Sequence, residues 1–348
     1  MCHTRPAMYT IVRTDLGPFG DQWDALVDAL PVPSPFLRSW WIDNAASGEP
    51  VLVLVVDGDE LRGGIALQRS TRHRVEWYSM VGNGPLEPDH LDALALPAHR
   101  PAVISALRAW MTRRGNRVFD LDGLVPDGVA VAALPSRAII RSVTPAPYAR
   151  LPRAPDEYLA TRHGRLRSTV TRTAKRLDRA GVTFRAADPD EIDASLDALH
   201  RLHDSRWGDH SAFLGGWDQF ARSMRAGNRA GDVRFGELVD PEGRIVATEL
   251  ELRADRRLCF YQAGRVTDHE LRGSGSVLKA RIIESGIAEG FVEFDLLRGD
   301  EPYKAEWADA RRSLVHVRSA VGPLARALVS GADVRRRRRR SRNADNSR

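Results

Sequence analysis

The chain repeats part of itself, and this limits its fold more than any other feature. Val51 to Val56, a turn at Asp57 to Glu60 and a second apolar run to Leu67 together read as a β-hairpin. Val233 to Val239, the turn residues Asp240 to Gly243 and the run to Leu252 read the same way. Further on, Ala102 to Leu124 echoes Val277 to Gly299: apolar residues at helical spacing, a glycine at the helix end, then a short strand. In both copies an aspartate follows that glycine by five residues, Gly115 to Asp120 and Gly290 to Asp295. Phe119-Asp120-Leu121 matches Phe294-Asp295-Leu296. Two copies this far apart are not a solenoid. They predict two related units in tandem, each running helices, antiparallel hairpin, strand, helix, strand. The fold class is mixed α/β (α+β), with largely antiparallel sheets flanked by helices.

A length of 348 residues accommodates two such units. The expected division is 1–148, 149–325 and an Arg-rich tail over 326–348. The proline-bearing stretch Thr144 to Pro155 reads as the linker. A basic helix follows over Arg162 to Gly181, and another helix over Asp190 to Trp207. Phe19 to Leu30 and Ser39 to Ala45 offer helical counterparts in the first copy. Hydrophobic residues make up 43% and charged residues 28%, which excludes a wholly disordered chain. Apolar runs fall far short of the roughly 20 residues of a membrane-spanning helix. The first residues lack the apolar core of a secretory signal. Two cysteines, Cys2 and Cys259, make no disulfide framework. The expected setting is the cytoplasm. The net charge is +6, but the segment from Val334 holds eight arginines and one aspartate, so the rest is close to neutral. That tail is expected to be disordered and to offer weak contact with an anionic membrane or nucleic acid, where it has a partner at all.

Two segments concentrate special residues. The loop Glu270 to Ser276 contains Arg272-Gly-Ser-Gly-Ser276 and enters the helix beginning at Val277. Glycines let a backbone approach a ligand, and a helix start presents free N–H groups, so this loop can cradle a pyrophosphate. It is neither a Walker loop nor a G-x-G-x-x-G fingerprint. An ordinary helix start is the plain alternative. The first copy has Leu94 to Pro101 there, without glycine and with two prolines, which predicts one ligand-binding copy and one structural copy. The second segment, Asp295 to Trp307, follows the last strand of the repeat. There Tyr303 can donate a proton and Asp295 or Asp300 can accept one. Elsewhere, Glu249 and Glu251 alternate along a strand, as a base or as solvent-facing groups. His200, His203 and His210 are close in sequence, but no third ligand type completes a metal site, so none is expected. Cys259 reads as a core residue.

The stretch FDLLRGDEPYKAEW, Phe294 to Trp307, resembles the C-terminal signature of CelD-like proteins in the GNAT acyltransferase superfamily, which are related to the FemAB aminoacyltransferases. Looser matches are Trp23 to Leu26 with Phe36 and Trp41, Val81-Gly82 with Asp89 and Asp92, Arg165 to Leu177, and Leu199-His200 with Arg206-Trp207. The resemblance implies tandem GNAT folds and acyl transfer, with acetyl the expected group, from acyl-CoA to an amine or hydroxyl by direct attack. It places the pyrophosphate on Arg272, Gly273, Ser274, Gly275, Ser276 and Val277. The pantetheine arm would lie along Tyr261, Gln262 and Ala263. Tyr303 would protonate the leaving thiolate, with Asp295 organising the site by holding Lys304 or Arg298 and Glu249 as a base. His200, Arg206, Trp207, Arg298 and Lys304 would contact the acceptor, a small molecule or a precursor of envelope or polysaccharide. Val277 departs from the small residue usual at its position. Alternatives are a FemAB-like aminoacyl-tRNA donor, which the basic helix suits, and a non-catalytic accessory protein. A monomer is expected.

Overall fold

The computed structural model describes residues 8–330, except 136, 209, 210, 212 and 270, and at Arg206 and Trp207 the backbone alone. The first half opens with β1 (Tyr9–Arg13), α1 (Gly20–Asp28) and α2 (Ser39–Ile42). The predicted hairpin follows as β2 (Glu49–Asp57) and β3 (Glu60–Arg72), then β4 (Val75–Met80) and the two-residue β5 (Leu94–Ala95). Next come α3 (Arg100–Met111), β6 (Arg117–Leu124) and α4 (Val129–Ala133). Val51 to Val56 are all buried, which explains an unbroken apolar run instead of an alternating one. Gly63 and Gly64 let helices close on both faces of β3. A Cβ on Gly63 would lie 2.9 Å from Val103 of α3, and one on Gly64 would lie 3.0 Å from Trp23 of α1.

The second half repeats this order. After β7 (Ile139–Arg150) come α5 (Pro155–Ala160), α6 (Gly164–Arg179), β8 (Thr183–Ala186), α7 (Ile192–Trp207) and α8 (Trp217–Arg229). The second hairpin is β9 (Val233–Val239) with β10 (Ile245–Ala254). Then follow β11 (Arg257–Arg265), α9 (Ser274–Ala288), β12 (Glu293–Asp295), α10 (Pro302–Trp307) and β13 (Ala310–Val321). The copies agree in pairing as well as order. β4 runs parallel to β6 through Tyr78↔Phe119, and β11 runs parallel to β12 through Leu258↔Phe294 and Cys259↔Asp295. The repeated Phe-Asp-Leu thus ends the short parallel contact in each half.

The halves share one sheet, ordered β1-β2-β3-β4-β6-β13-β7-β12-β11-β10-β9-β8. Their last strands are exchanged. β7 leaves the first half to pair with β12, and β13 returns from the end of the second half to pair with β6. The two exchanged strands also pair with each other. The proline-rich linker expected over Thr144 to Pro155 is therefore corrected: residues 144–150 are strand, and a cut between 148 and 149 passes through β7. The prolines are tolerated because β12 is short. Past its end only the carbonyls of Pro145 and Pro147 are used, accepting from the N–H groups of Gly299 and Leu296, both at 2.9 Å. One core joins the halves: Tyr261 of β11 meets Phe36 at 5.1 Å and Trp41 at 6.1 Å between ring centroids.

Candidate active site

Each half contains a wedge where its two parallel strands part. In the first half the wedge is filled. Asn83 sits between β4 and β6, its Oδ1 accepting from the N–H groups of Met80 at 3.2 Å and Asp122 at 3.4 Å, its Nδ2 donating to the Asp122 carbonyl. Leu91 closes the rest, donating to the Gly123 carbonyl and accepting from the Val125 N–H. In the second half β11 and β12 pair over three residues only. Beyond Cys259, β11 runs on through Tyr261, Gln262 and Ala263 with no strand beside it on that side among the described residues. The loop 296–299 turns to β7 instead.

The glycine loop lies at the end of β11 toward which this wedge opens. Gly273 has φ +87° and caps α9, a conformation that favours glycine, and Thr173 of α6 would stand 3.1 Å from any Cβ there. Gly275 belongs to the first turn, where the Ser274 N–H donates to the Leu271 carbonyl and the Ser276 N–H to the Gly273 carbonyl, both at 3.0 Å. The Ser274 hydroxyl is buried and finds no partner, while Arg272 is exposed. α6 packs Leu166, Val170, Thr173 and Leu177 inward and leaves Arg165, Arg167, Arg172, Lys175, Arg176 and Arg179 exposed. Arg176 donates to the Arg272 carbonyl, so the basic helix braces the loop. Val277 is buried, anchoring α9 in the core.

Three expected roles are corrected by burial. Asp295 is completely buried and engaged: Arg257 donates to it, Arg312 stands 3.4 Å away, and its Oδ1 accepts from the Leu297 N–H at 2.8 Å. It holds neither Lys304 nor Arg298 and cannot meet a substrate. Arg312 also forks onto Glu293 at 2.7 and 2.8 Å. Glu249 is neither a base nor solvent-facing. It is buried against Lys279 at 2.5 Å, whose ammonium lies 3.4 Å from the Phe260 ring centroid. Lys304 is likewise buried, its ammonium spent on the Arg298 carbonyl and on Glu301.

The neighbouring Glu251 is fully buried and neither oxygen has a partner. Burial pushes its carboxyl well above the usual carboxylate range, and the Glu249 charge adds to that. Burial likewise pushes the Cys259 thiol up, as suits a core residue. Tyr303 is 42% exposed on the first turn of α10. Arg298 is half-buried, pairs with Asp122 at 3.0 Å and donates its N–H to Asp89 at 2.6 Å. His200 packs edge-on against Trp217 with centroids 4.6 Å apart, and His203 bonds Ser211. The side chains of Arg206 and Trp207 lie outside the described residues, as do His210 and the Arg tail. Sequence reasoning missed His90, whose Nδ1 meets Asp89 at 2.8 Å and whose Nε2 lies 3.6 Å from Asp295. Here the first half's Asp89 stretch docks on the second half's Asp295 loop, two quoted motifs that gave no sign of touching.

A family model described as an acetyltransferase (GNAT) domain matches residues 164–305. The match spans 142 of the 348 residues, and the fold of the chain is of the GNAT type. Solved structures extend the likeness over both halves. FemX matches at TM-score 0.62 and 11% identity, covering 85% of this chain and 95% of its own. A conserved protein of unknown function from Bacteroides thetaiotaomicron matches at TM-score 0.58 and 12% identity, covering 89% of this chain and 99% of its own. L-PGS from Bacillus licheniformis matches at TM-score 0.55 and 12% identity, covering 88% and 92%. At these identities the agreement is one of fold: a FemAB-like pair of GNAT units, as the resemblance implied. A search of curated proteins returned no match. No helix among the described residues is long and apolar enough to cross a membrane.

Proposed function

We propose that this protein transfers an acyl group, acetyl in the simplest case, from acyl-CoA to an amine or hydroxyl acceptor. The observation that carries the reading is the contrast between wedges. Asn83 plugs the first, and proline replaces glycine at its helix start. The second keeps a free strand edge and a glycine-lined helix N-terminus. Gly273, Ser274, Gly275 and Ser276 would hold the pyrophosphate, the Ser274 and Ser276 N–H groups exchanging the Leu271 and Gly273 carbonyls for phosphate oxygens, with Arg272 adding charge. The edge at Tyr261 to Ala263 would hold the amides of the pantetheine arm. The acceptor nitrogen or oxygen attacks the thioester carbon, the carbon–sulfur bond breaks, and Tyr303 supplies a proton to the departing thiolate. With Glu249 sealed in the core, the acceptor's own proton goes to solvent or to a group not yet assigned.

The test is thiol release from acetyl-CoA against pooled amine and hydroxyl acceptors, run beside Gly275→Asp. That substitution sets a carboxylate at the pyrophosphate and should abolish CoA binding. Unchanged CoA affinity in the variant would remove the loop from the donor site. A second reading, an aminoacyl-tRNA donor, draws on α6, whose exposed arginines flank the same loop. It predicts tRNA binding that weakens steeply with salt, and no thiol release.

A further inference from the structure

The segment from Asn83 to Leu91 plugs the first half's wedge, and it also reaches the second half's wedge at three points. At β11, the Tyr261 hydroxyl donates to the Leu86 carbonyl at 2.8 Å. At the end of β12, His90 Nε2 lies 3.6 Å from Asp295. On the loop beyond, the Arg298 N–H donates to Asp89 at 2.6 Å. Tyr261 and Arg298 stand on the two sides of the open wedge. Asp295 stands at its vertex, where the pairing of β11 with β12 ends at Cys259↔Asp295.

The segment is itself firmly held. Asp89 and His90 are buried. The Ser34 hydroxyl donates to the Asp89 carbonyl at 2.9 Å, and His90 Nδ1 meets the Asp89 carboxylate at 2.8 Å. His90 at φ +51° and Leu297 at φ +57° both lie in the left-handed region without being glycine. Such conformations persist only where the surroundings enforce them, and they gather at functional sites.

Each N–H of the loop 296–299 has an acceptor. Leu296 and Gly299 donate to the Pro147 and Pro145 carbonyls of β7, Leu297 to Asp295, and Arg298 to Asp89. What Asp89 fixes is passed on. The Arg298 carbonyl accepts from Lys304 of α10, whose ammonium also pairs with Glu301 at 3.0 Å. Tyr303 is the residue before Lys304. A chain of hydrogen bonds thus runs from a carboxylate of the first half, through the backbone of Arg298, to the helix that carries Tyr303.

We propose that Asp89 is a positioning residue of the active site: through it the first half braces the second half's wedge and sets Tyr303 against the thioester sulfur. The catalytic part rests on the transferase reading; the brace does not. A general acid must come within about 2.6–3.2 Å of the atom it protonates, and a displacement of about 1 Å can cost on the order of 100-fold in rate. The glycine loop Arg272 to Ser276 takes no part in this chain of bonds. The loss should therefore fall on kcat and leave KM for acetyl-CoA alone.

The test variant is Asp89→Ala, read by backbone hydrogen exchange and by a double-mutant cycle with Tyr303→Phe. If it does not fold, Asp89→Asn is read in its place, because it keeps the shape and turns one acceptor oxygen into an amide nitrogen. Exchange over 296–307 should rise about tenfold, with the amides of α9 still protected. The kcat for thiol release should fall about tenfold, and in the Tyr303→Phe background the same change should cost less than about twofold. The control is Asp92→Ala, which removes the acceptor of the Val129 and Ala130 N–H groups at 3.0 and 2.7 Å. It should lower the thermal midpoint without moving the loop's exchange. Unchanged loop exchange in the Asp89 variant overturns the brace, and so does equal acceleration in Asp92→Ala. A kcat loss that adds in full to that of Tyr303→Phe overturns the positioning role. Wild-type protein that releases no thiol removes the transferase reading instead, and the exchange measurement still decides the brace.

Discussion

At the scale of single residues, burial separates reactive groups from structural ones. Tyr303 is exposed beside the glycine-loop half of the molecule, whereas Asp295, Glu249 and Lys304 are sealed and paired. Tyr303→Phe keeps the ring and removes only the proton donor. Turnover should fall on the order of 100-fold, the low end for general acid catalysis, with CoA affinity and thermal midpoint unchanged. Wild-type turnover under conditions where chemistry limits the rate would exclude Tyr303 from the mechanism. Glu251 supports a prediction of opposite kind. Its pKa is raised in the folded state, chiefly by burial. The folded protein therefore keeps a proton that the unfolded chain releases above about pH 4.3, and stability declines as pH rises from there. Glu251→Gln should be more stable than wild type at pH 8, with the difference closing as pH falls below about 4. Equal urea midpoints at pH 8 would mean that Glu251 is ionised and satisfied in the fold. None of this was legible in the sequence. Glu249 and Glu251 alternate as surface residues do, and only Lys279, amid the apolar Val277, Leu278 and Ala280, hints that a cation must be met inside.

At the scale of elements, the repeat was readable because local patterning and tertiary pairing agree. Both hairpins, both long helices after them and both Phe-Asp-Leu strands lie where period and turn residues place them. β7 was not readable, because its prolines obey the rule for an edge while the strand lies inside the sheet. The helix pair α6 and α9 belongs at this scale too. α6 looks like a solvated basic helix, yet its Thr173 and Arg176 rest on the glycine loop. If that surface serves a nucleic-acid donor, Arg172→Glu with Lys175→Glu should reduce both the affinity for tRNA and its salt slope. If the donor is acyl-CoA, the same pair should leave thiol release nearly intact, since neither residue reaches the loop in the way Arg176 does. Measuring both quantities on the one variant distinguishes the two donors.

At the scale of the whole molecule, strand exchange makes two units behave as one. β13 is hydrogen-bonded to β6 of the first half on one side and to β7 on the other. Its side chains reach both repeated aspartates: Arg318 holds Asp120 at 2.6 Å, and Arg312 lies 3.4 Å from Asp295. Aromatic packing of Phe36, Trp41 and Phe220 on Tyr261 adds a core that neither half completes alone. The sequence shows two copies and so invites a picture of two independent domains. It cannot show exchange, because a strand's propensity does not name its partner. Removing residues 310–348 should accordingly damage the first half as much as the second. The cut opens β6 and β7 as edges and leaves Asp120 and Asp295 without their β13 arginines, carboxylates that are costly to keep buried. Full-length protein should melt in a single calorimetric transition, and the 1–309 fragment should lose cooperative unfolding, with Trp fluorescence from Trp77 and Trp110 shifting to that of exposed rings. The control is removal of residues 335–348 alone, which leaves β13 whole and should leave the transition in place. Two separated transitions in the full chain, or a 1–309 fragment that still melts cooperatively, would show that each half folds on its own and that the exchanged strands only decorate a joint made elsewhere.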